Sequence, residues 1–208
     1  GNVTYSYKSR YTFNGTLRYE GTNQLGKSRS SRWLPTWNIS GSWNLHNESW
    51  FERFVPTWSH MTLRASYSLT GDRPSISNAY SILMAANPWR PFAGVGESSL
   101  YIDDLANGSL TYEKKHELNL GLSTGVLDNR INLEFDWYKR NNFDLIGVAT
   151  TQGIGGQITK LGNIAEMKSH GVELSLTTRN IVTRDFTWTT NFIYSYNKNE
   201  VTKLETSK

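Results

Sequence analysis

The chain has 208 residues and a formal net charge of +4, from 22 basic and 18 acidic side chains that are mixed along the sequence. Because no segment concentrates Lys and Arg, the charge does not predict a nucleic-acid-binding surface, and no nucleic-acid partner is expected. The absence of Cys excludes a disulfide framework and a Cys-based zinc site. No stretch reaches the ~18–20 consecutive apolar residues of a membrane-spanning helix, which excludes helical crossing but not crossing by strands.

Alternation of apolar and polar residues is the dominant pattern of the chain, and it recurs about eight times. In the second stretch, for example, Phe13 and Leu17 alternate with Asn14 and Thr16. The stretches are 3–7, 11–19, 37–45, 63–69, 118–122, 131–137, 172–176 and 186–194. No amphipathic helix of useful length competes with them. The sequence therefore predicts an all-β fold of antiparallel, up-and-down strands.

The links between these stretches alternate in length. Short and long links follow one another, with 46–61 as an intermediate exception, in the order 8–10, 20–35, 46–61, 70–112, 127–129, 144–164 and 180–185. Up-and-down strands place successive links at opposite ends, so the long links are expected at one end and the short ones at the other. That asymmetry is typical of outer-membrane β-barrels.

A soluble β-sandwich or barrel that binds carbohydrate through exposed aromatic residues is the alternative interpretation. The positions of Leu133, Phe135 and Trp137 separate the two. In a membrane barrel these side chains face outward in an exposed apolar belt, whereas in a sandwich they meet a second sheet in a closed core.

The link 70–112 is the candidate functional segment, because loops beyond ~12–15 residues usually bind something or are disordered. It is too apolar for disorder, and within it residues 77–86 are predicted to form a short helix. Aromatic faces and an Arg could form a platform for sugars or peptide side chains, or the apolar groups could instead fold the loop onto itself or onto a partner. The candidate substrate- or partner-binding residues are Tyr80, Trp89, Arg90, Phe92, Tyr101, Asp103 and Asp104.

Residue patterns that indicate catalysis or metal binding are scarce. The four His are scattered without metal-ligand spacing, and no nucleophile–base pair or carboxylate pair stands out. Asp103 and Asp104 could hold calcium with nearby carbonyl groups, but adjacent acids in a long loop are usually solvated. We therefore expect no enzyme activity, no metal site and no cofactor.

Five long segments resemble one protein family and follow its order along the chain. The segments are RWLPTWNISGSWNLHNESWF (32–51), LRASYSLTGDRP (63–74), YEKKHELNLGLSTGVLDNRINLEFDWYKRNNFDLIG (112–147), GNIAEMKSHGVELSL (162–176) and TWTTNFIYSYNKNEVTKL (187–204). They resemble the SusC/RagA-type TonB-dependent receptors of Bacteroidetes. Because the segments are long and cover most of the sequence, the resemblance is specific.

The resemblance implies a location in the outer membrane of a Gram-negative bacterium, in contact with its lipid. Such receptors form barrels of ~22 strands around an N-terminal plug. They import glycans or peptides with energy delivered through TonB, and a SusD-like surface lipoprotein covers the barrel. Residues 1–208 are then expected to form about eight strands from the C-terminal part of the barrel, with loops 70–112 and 144–164 facing outside and the plug absent.

Overall fold

The computed structural model describes residues 1–23, 25–72, 80–86, 98–153 and 156–205. Ten strands dominate this part of the chain. The helices are short: α1 is Arg29–Arg32, α2 is Phe51–Phe54, and Leu45–Asn47 forms a single 3-10 turn. None of the helices in the described ranges is long and apolar enough to cross a membrane.

Eight strands form one antiparallel sheet in the order β1-β2-β3-β4-β7-β8-β9-β10, and β5 and β6 form a separate hairpin. Every neighbouring pair is antiparallel. The strands are β1 Asn2–Tyr7, β2 Tyr11–Gly21, β3 Trp33–Asn44, β4 Trp58–Asp72, β5 Ile82–Ala86, β6 Ser99–Asp104, β7 Glu113–Val126, β8 Ile131–Thr150, β9 Thr159–Val182 and β10 Thr187–Leu204. The predicted all-β, up-and-down architecture with eight main strands is confirmed.

The register gives the sheet one apolar and one polar face. Residues paired across an antiparallel ladder share a face, so a row can be followed across all eight strands. One such row is Tyr5, Phe13, Gly41, Ala65, Leu120, Trp137, Val172 and Tyr196, and the row one residue away, on the other face, is Thr4, Asn14, Ser40, Ser66, Asn119, Tyr138, Gly171 and Asn197.

The apolar face is an exposed belt. Phe135 lies on it, opposite Leu122 and Leu174, and the adjacent rows place Leu133 and Trp137 on the same face. The large apolar side chains of this face are widely exposed, among them Phe13 at 49% and Phe192 at 52%. In the described residues, buried apolar side chains lie at the two ends of the sheet, apart from Tyr138 on the polar face. The sandwich alternative, which requires a second sheet over Leu133, Phe135 and Trp137, is therefore wrong.

The short links lie at one end of the sheet, which we call the turn end. Lys8 and Ser9 both adopt positive φ, and the Arg10 amide donates to the Tyr7 carbonyl at 3.0 Å, as in a type I′ hairpin turn. The links 127–130 and 183–186 are similarly tight. The longer link 45–57 lies at this end as well, and its Asn47 side chain donates to the Ser9 carbonyl at 2.8 Å.

Glu48 fastens link 45–57 to the turn end. Its carboxylate accepts hydrogen bonds from the Tyr11 hydroxyl at 2.7 Å and the Trp43 indole at 3.2 Å, and it pairs with Arg10 at 3.2 Å. The pKa of Glu48 lies below its ordinary value, mainly because of the hydrogen bond from Tyr11. The hydrogen bond from Trp43 and the positive charge of Arg10 lower it further.

The long links lie at the opposite end, the long-loop end, and two of them contain more strand than expected. The predicted link 144–164 was too long, because β8 continues to Thr150 and β9 begins at Thr159, so this hairpin projects beyond the alternating region. Asp144 sits at a bulge in β8 with a φ of 57°. The helix predicted over 77–86 is wrong where the chain is described, since Ile82–Ala86 is strand β5 and pairs with β6; residues 77–79 lie outside the described ranges.

Gly171 makes room for a buried tyrosine on the polar face. A Cβ at this position would collide with the Tyr138 ring and would lie 2.5 Å from the Tyr196 carbonyl oxygen, which belongs to the neighbouring strand and cannot move aside. We expect Gly171→Ala to destabilise the protein by about 1–3 kcal/mol through overpacking. The measurement is the thermal unfolding midpoint of the purified protein in detergent. Gly41→Ala is the matched control, because its Cβ would meet only the Thr12 carbonyl at 3.9 Å; equal midpoints for the two variants would contradict the packing argument.

Glu48→Gln tests the turn-end cluster. Because the folded-state pKa of Glu48 is lowered, its stabilisation is present above the unfolded-state pKa and is lost as pH falls through the folded-state pKa. We expect Glu48→Gln to lower the unfolding midpoint at about pH 7, and the difference from wild type to shrink as the pH falls through the folded-state pKa of Glu48. Glu52→Gln, an exposed acid in α2, is the control and should have no effect at any of these pH values. If the midpoint difference between Glu48→Gln and wild type does not change with pH, the charge of Glu48 does not contribute to stability.

Candidate functional site at the long-loop end

A small dry core lies among the links of the long-loop end. Leu25, Leu34, Leu110 and Tyr112 are buried together, and Ile146 packs against them. These residues come from the links 22–32 and 105–112 and from the adjoining ends of β3 and β8. The Gly26 amide donates to the Leu110 carbonyl at 2.8 Å, and the Lys27 amide to the Gly108 carbonyl at 2.9 Å. We call this packed set of links the loop layer.

Side-chain amides join the loop layer to the projecting β8–β9 hairpin. Asn163 is the central residue: it accepts from the Thr111 amide at 2.9 Å and donates to the Thr111 and Asp144 carbonyls at 3.0 and 2.6 Å. Asn107 donates to the Leu161 carbonyl at 2.7 Å. Since Thr111 lies outside the strands and Asp144 at the bulge, the bonds of Asn163 satisfy backbone groups that the ladder register does not include, and the loop layer is a scaffold on which exposed side chains can be held in place.

Tyr80, a predicted site residue, is held at the surface by two cations. The Arg32 guanidinium donates to the Tyr80 hydroxyl at 3.3 Å, and the Lys27 ammonium lies 5.7 Å from the ring centroid. Tyr80 remains 59% exposed. One aromatic face bordered by two positive charges is suited to a sugar ring, an acidic group or a peptide carbonyl. The sequence argument missed Lys27 and Arg32, because their link is separated from Tyr80 by two strands.

The other predicted platform residues are only partly described. Trp89, Arg90 and Phe92 lie outside the described residues. Tyr101 lies on β6, where its hydroxyl donates to the Met84 sulfur at 3.4 Å, and no ring contact joins it to Tyr80 within the described ranges. That these residues form one binding platform with Tyr80 stays a prediction.

Asp103 and Asp104 end strand β6, and both are half-buried. Asp104 is paired with Ile82 at an irregularity in the hairpin. Across the described residues, no group of three or more His, Cys, Asp or Glu side chains is placed to hold a metal ion. The described neighbours of these two acids therefore add no further ligand of these types.

The β5–β6 hairpin exposes apolar side chains that sequence reasoning did not assign to a surface. Leu83 is paired with Ile102 and Ala85 with Leu100, which places these four residues on one face. Leu83 is 58% exposed and Leu100 71% exposed. The alternation in SLYIDD could have indicated this strand, whereas the continuous apolar run ILMAA fits a helix equally well.

The polar face below the loop layer carries internally neutralised charges. Glu117 accepts from Arg140 at 2.8 Å and from Asn119 at 2.8 Å, and it pairs with Lys115 at 3.2 Å. Arg64 lies 3.5 Å from Asp136. Gly121 permits this second pair, since a Cβ there would lie 2.5 Å from the Asp136 carboxylate. The face offers hydrogen-bonding groups without a strong net charge.

Comparisons with known proteins agree with this architecture. The family model described as TonB dependent receptor-like, beta-barrel, matches residues 1–207. TonB-dependent receptor P3 of Formosa agariphila is 33% identical over 98% of this chain, and TonB-dependent receptor SusC of Bacteroides thetaiotaomicron is 29% identical over the same share. The chain spans about a fifth of the length of each of these relatives (20%).

Solved structures give the same result at the level of fold. The RagAB peptide importer in its closed-closed state superposes with a TM-score of 0.84 at 25% identity, covering 98% of this chain and 22% of that one. A structure of the RagAB peptide transporter gives a TM-score of 0.82 at 24% identity, with the same coverage. Receptors of this family lie in the outer membrane of Gram-negative bacteria, and the family consists of transporters and receptors. The chain belongs to the TonB-dependent receptor-like β-barrel family, and within it to the SusC/RagA type.

Proposed function

We propose that this chain forms part of the wall and the outer loops of a TonB-dependent importer that takes up a large nutrient, a glycan or a peptide. The observation that carries the proposal is the sheet itself, with one exposed apolar face, one polar face and the long links at one end. In a barrel of this family the apolar face meets lipid and the polar face lines the lumen. The long-loop end then faces the exterior, where the nutrient arrives.

Each part of the chain has a distinct role in this proposal. The polar face, with Arg64–Asp136 and Glu117–Arg140, lines the passage and contacts the plug, which couples the receptor to TonB. Tyr80, with Lys27 and Arg32, supplies an aromatic and cationic contact at the entrance. Tyr101, Asp103 and Asp104 belong to the β5–β6 hairpin, and with Trp89, Arg90 and Phe92 they are proposed to contribute to substrate or partner contacts.

A SusD-like surface lipoprotein is the proposed partner at the long-loop end. The β5–β6 hairpin presents Leu83 and Leu100 on one exposed face, beyond the end of the apolar belt. Exposed apolar patches with polar surroundings mark protein interaction sites. The family resemblance and the RagAB structures support a lipoprotein partner for the whole receptor.

Import is tested by deleting the full-length gene in its native host. We expect the deletion strain to stop depleting one substrate class from a defined mixture of oligopeptides and oligosaccharides, and complementation to restore depletion. A strain lacking TonB should show the same defect, because the energy for uptake arrives through TonB. Unchanged depletion of every peptide and glycan in the deletion strain would contradict the import proposal, and the class that is lost identifies the nutrient.

The proposed lipoprotein-binding face of the β5–β6 hairpin is tested with Leu83→Ser/Leu100→Ser in the full-length receptor. Removing two apolar contacts of about 1.5 kcal/mol each is expected to weaken lipoprotein binding about a hundredfold. The measurement is co-purification of the lipoprotein from solubilised outer membranes, followed by titration of the separated components. Phe54→Ser is the matched control, because Phe54 is 74% exposed but lies at the turn end. If the double variant binds the lipoprotein with wild-type affinity, this face of the hairpin does not belong to the lipoprotein interface.

A further inference from the structure

Three basic side chains stand side by side on the apolar face of β8, β9 and β10. Lys139 is paired with His170, and His170 is paired with Lys198, so the three form one row across the ladder. All three are exposed. The next row toward the turn end is apolar and consists of Trp137, Val172 and Tyr196 on the same strands. We call these three residues, together with Lys168 from the next row toward the long-loop end, the basic row.

No member of the basic row forms an ion pair in the part of the chain that is described. Lys139 and Lys198 lie on the two strands that flank His170, so two ammonium groups share one row of the sheet. None of the four side chains forms an ion pair with a described residue. Two acids share this surface. Glu200 is opposite Lys168 and two residues from Lys198 on the same face, and Glu166 is opposite Lys203, which pairs with Glu205 at 2.8 Å. The row of Lys139, His170 and Lys198 itself contains no acid.

The basic row lies where the lipid-facing belt ends. On β3 the apolar face continues two rows further toward the long-loop end, through Ile39 and Trp37, whereas on β9 it stops at Val172. Strand tilt accounts for this offset. From β3 to β9 there are four strand spacings of ~4.8 Å, and in a sheet whose strands tilt by ~40° this displaces a row by ~12 Å along the barrel axis. Moving one row along a tilted strand, a distance of ~6.6 Å, corresponds to ~5 Å along the same axis. The offset is therefore about two rows, as observed, and the basic row stands at the outer boundary of the hydrocarbon layer.

We propose that the basic row binds the phosphate group of an outer-leaflet lipid, whose acyl chains lie along Trp137, Val172 and Tyr196. Lys ammonium groups at a membrane boundary extend toward the head-group level while their carbon chains remain in the apolar layer. A phosphate there pairs with the ammonium groups of Lys139 and Lys198, which form no ion pair with a described residue. The apolar row directly below gives the acyl chains a surface continuous with the head-group site. This assignment concerns the lipid-facing side of the wall and goes beyond the import function.

The test uses the full-length receptor, delipidated in a mild zwitterionic detergent, with diphosphorylated lipid A as the probe. Bound lipid is counted by native mass spectrometry, and affinity is measured by titration. Lys139→Gln/Lys198→Gln is expected to weaken lipid A binding about thirtyfold, equivalent to about 2 kcal/mol at 1.4 kcal/mol per tenfold change. Lys139→Arg/Lys198→Arg should retain binding, because it keeps both charges. Each variant is first checked for the wild-type thermal unfolding midpoint.

Two comparisons separate a phosphate-specific lipid site from general effects. Arg53→Gln/Arg184→Gln removes two exposed charges at the turn end and should bind lipid A like the wild type. Dephosphorylated lipid A should bind as weakly to the wild type as lipid A does to Lys139→Gln/Lys198→Gln. The proposal is overturned if that double variant keeps wild-type affinity, if the turn-end control loses affinity equally, or if dephosphorylated lipid A binds as tightly. Full displacement by equimolar inorganic phosphate would also overturn it, since the site would then hold a free anion.

Discussion

Pairing of backbone groups between neighbouring strands is the constraint on which the rest of the structure depends. In a bilayer no water satisfies an exposed amide or carbonyl, so each spanning strand needs a continuous ladder. The ladder fixes the register, and the register assigns every second side chain to lipid and the others to the polar side. A shift by one residue would exchange the two faces of a strand. The eight-strand row from Tyr5 to Tyr196 shows that the main sheet keeps this register through the belt.

The Asp144 bulge is a local departure from this register. Asn142 and Leu145 pair with Met167 and Ala165, so two β8 residues three positions apart share a face. A second irregularity restores the register, since Ile146 pairs with Asn163 and Gly147 with Gly162. Alternation is interrupted only at the bulge, which would expose polar groups to lipid if it occurred within the belt. Here it lies at the long-loop end, where Lys114 and the Asn163 amide bind the Asp144 carboxylate and carbonyl at 2.6 Å each. Beyond the bulge Ile146 packs on the core of the loop layer.

The edge of the belt separates what the sequence predicted from what it did not. Alternation identified all eight main strands and their faces, because two different solvents act on a strand inside the belt. The β8 and β9 segments beyond the bulge lie outside the belt, where no lipid boundary imposes alternation, and 144–164 was predicted to be a link. The hairpin strand Ile82–Ala86 was taken for helix because a five-residue apolar run carries no period. The loop core could not be predicted, since Leu25 and Leu110 meet only through the tertiary fold.

Charge is arranged differently on the two faces, and this difference bears on where selectivity resides. On the polar face, Arg64 on β4 pairs across β7 with Asp136 on β8, and Arg140 on β8 pairs with Glu117 on β7, so these contacts leave little field for a passing solute. On the apolar face, Lys139, His170 and Lys198 are all basic and form no ion pair with a described residue. The cations at the entrance, Lys27 and Arg32, are turned toward Tyr80. Under the import proposal, a wall with paired charges and an entrance with cations beside an aromatic ring would place discrimination between nutrients in the loop layer, which can change its side chains without disturbing the ladder below.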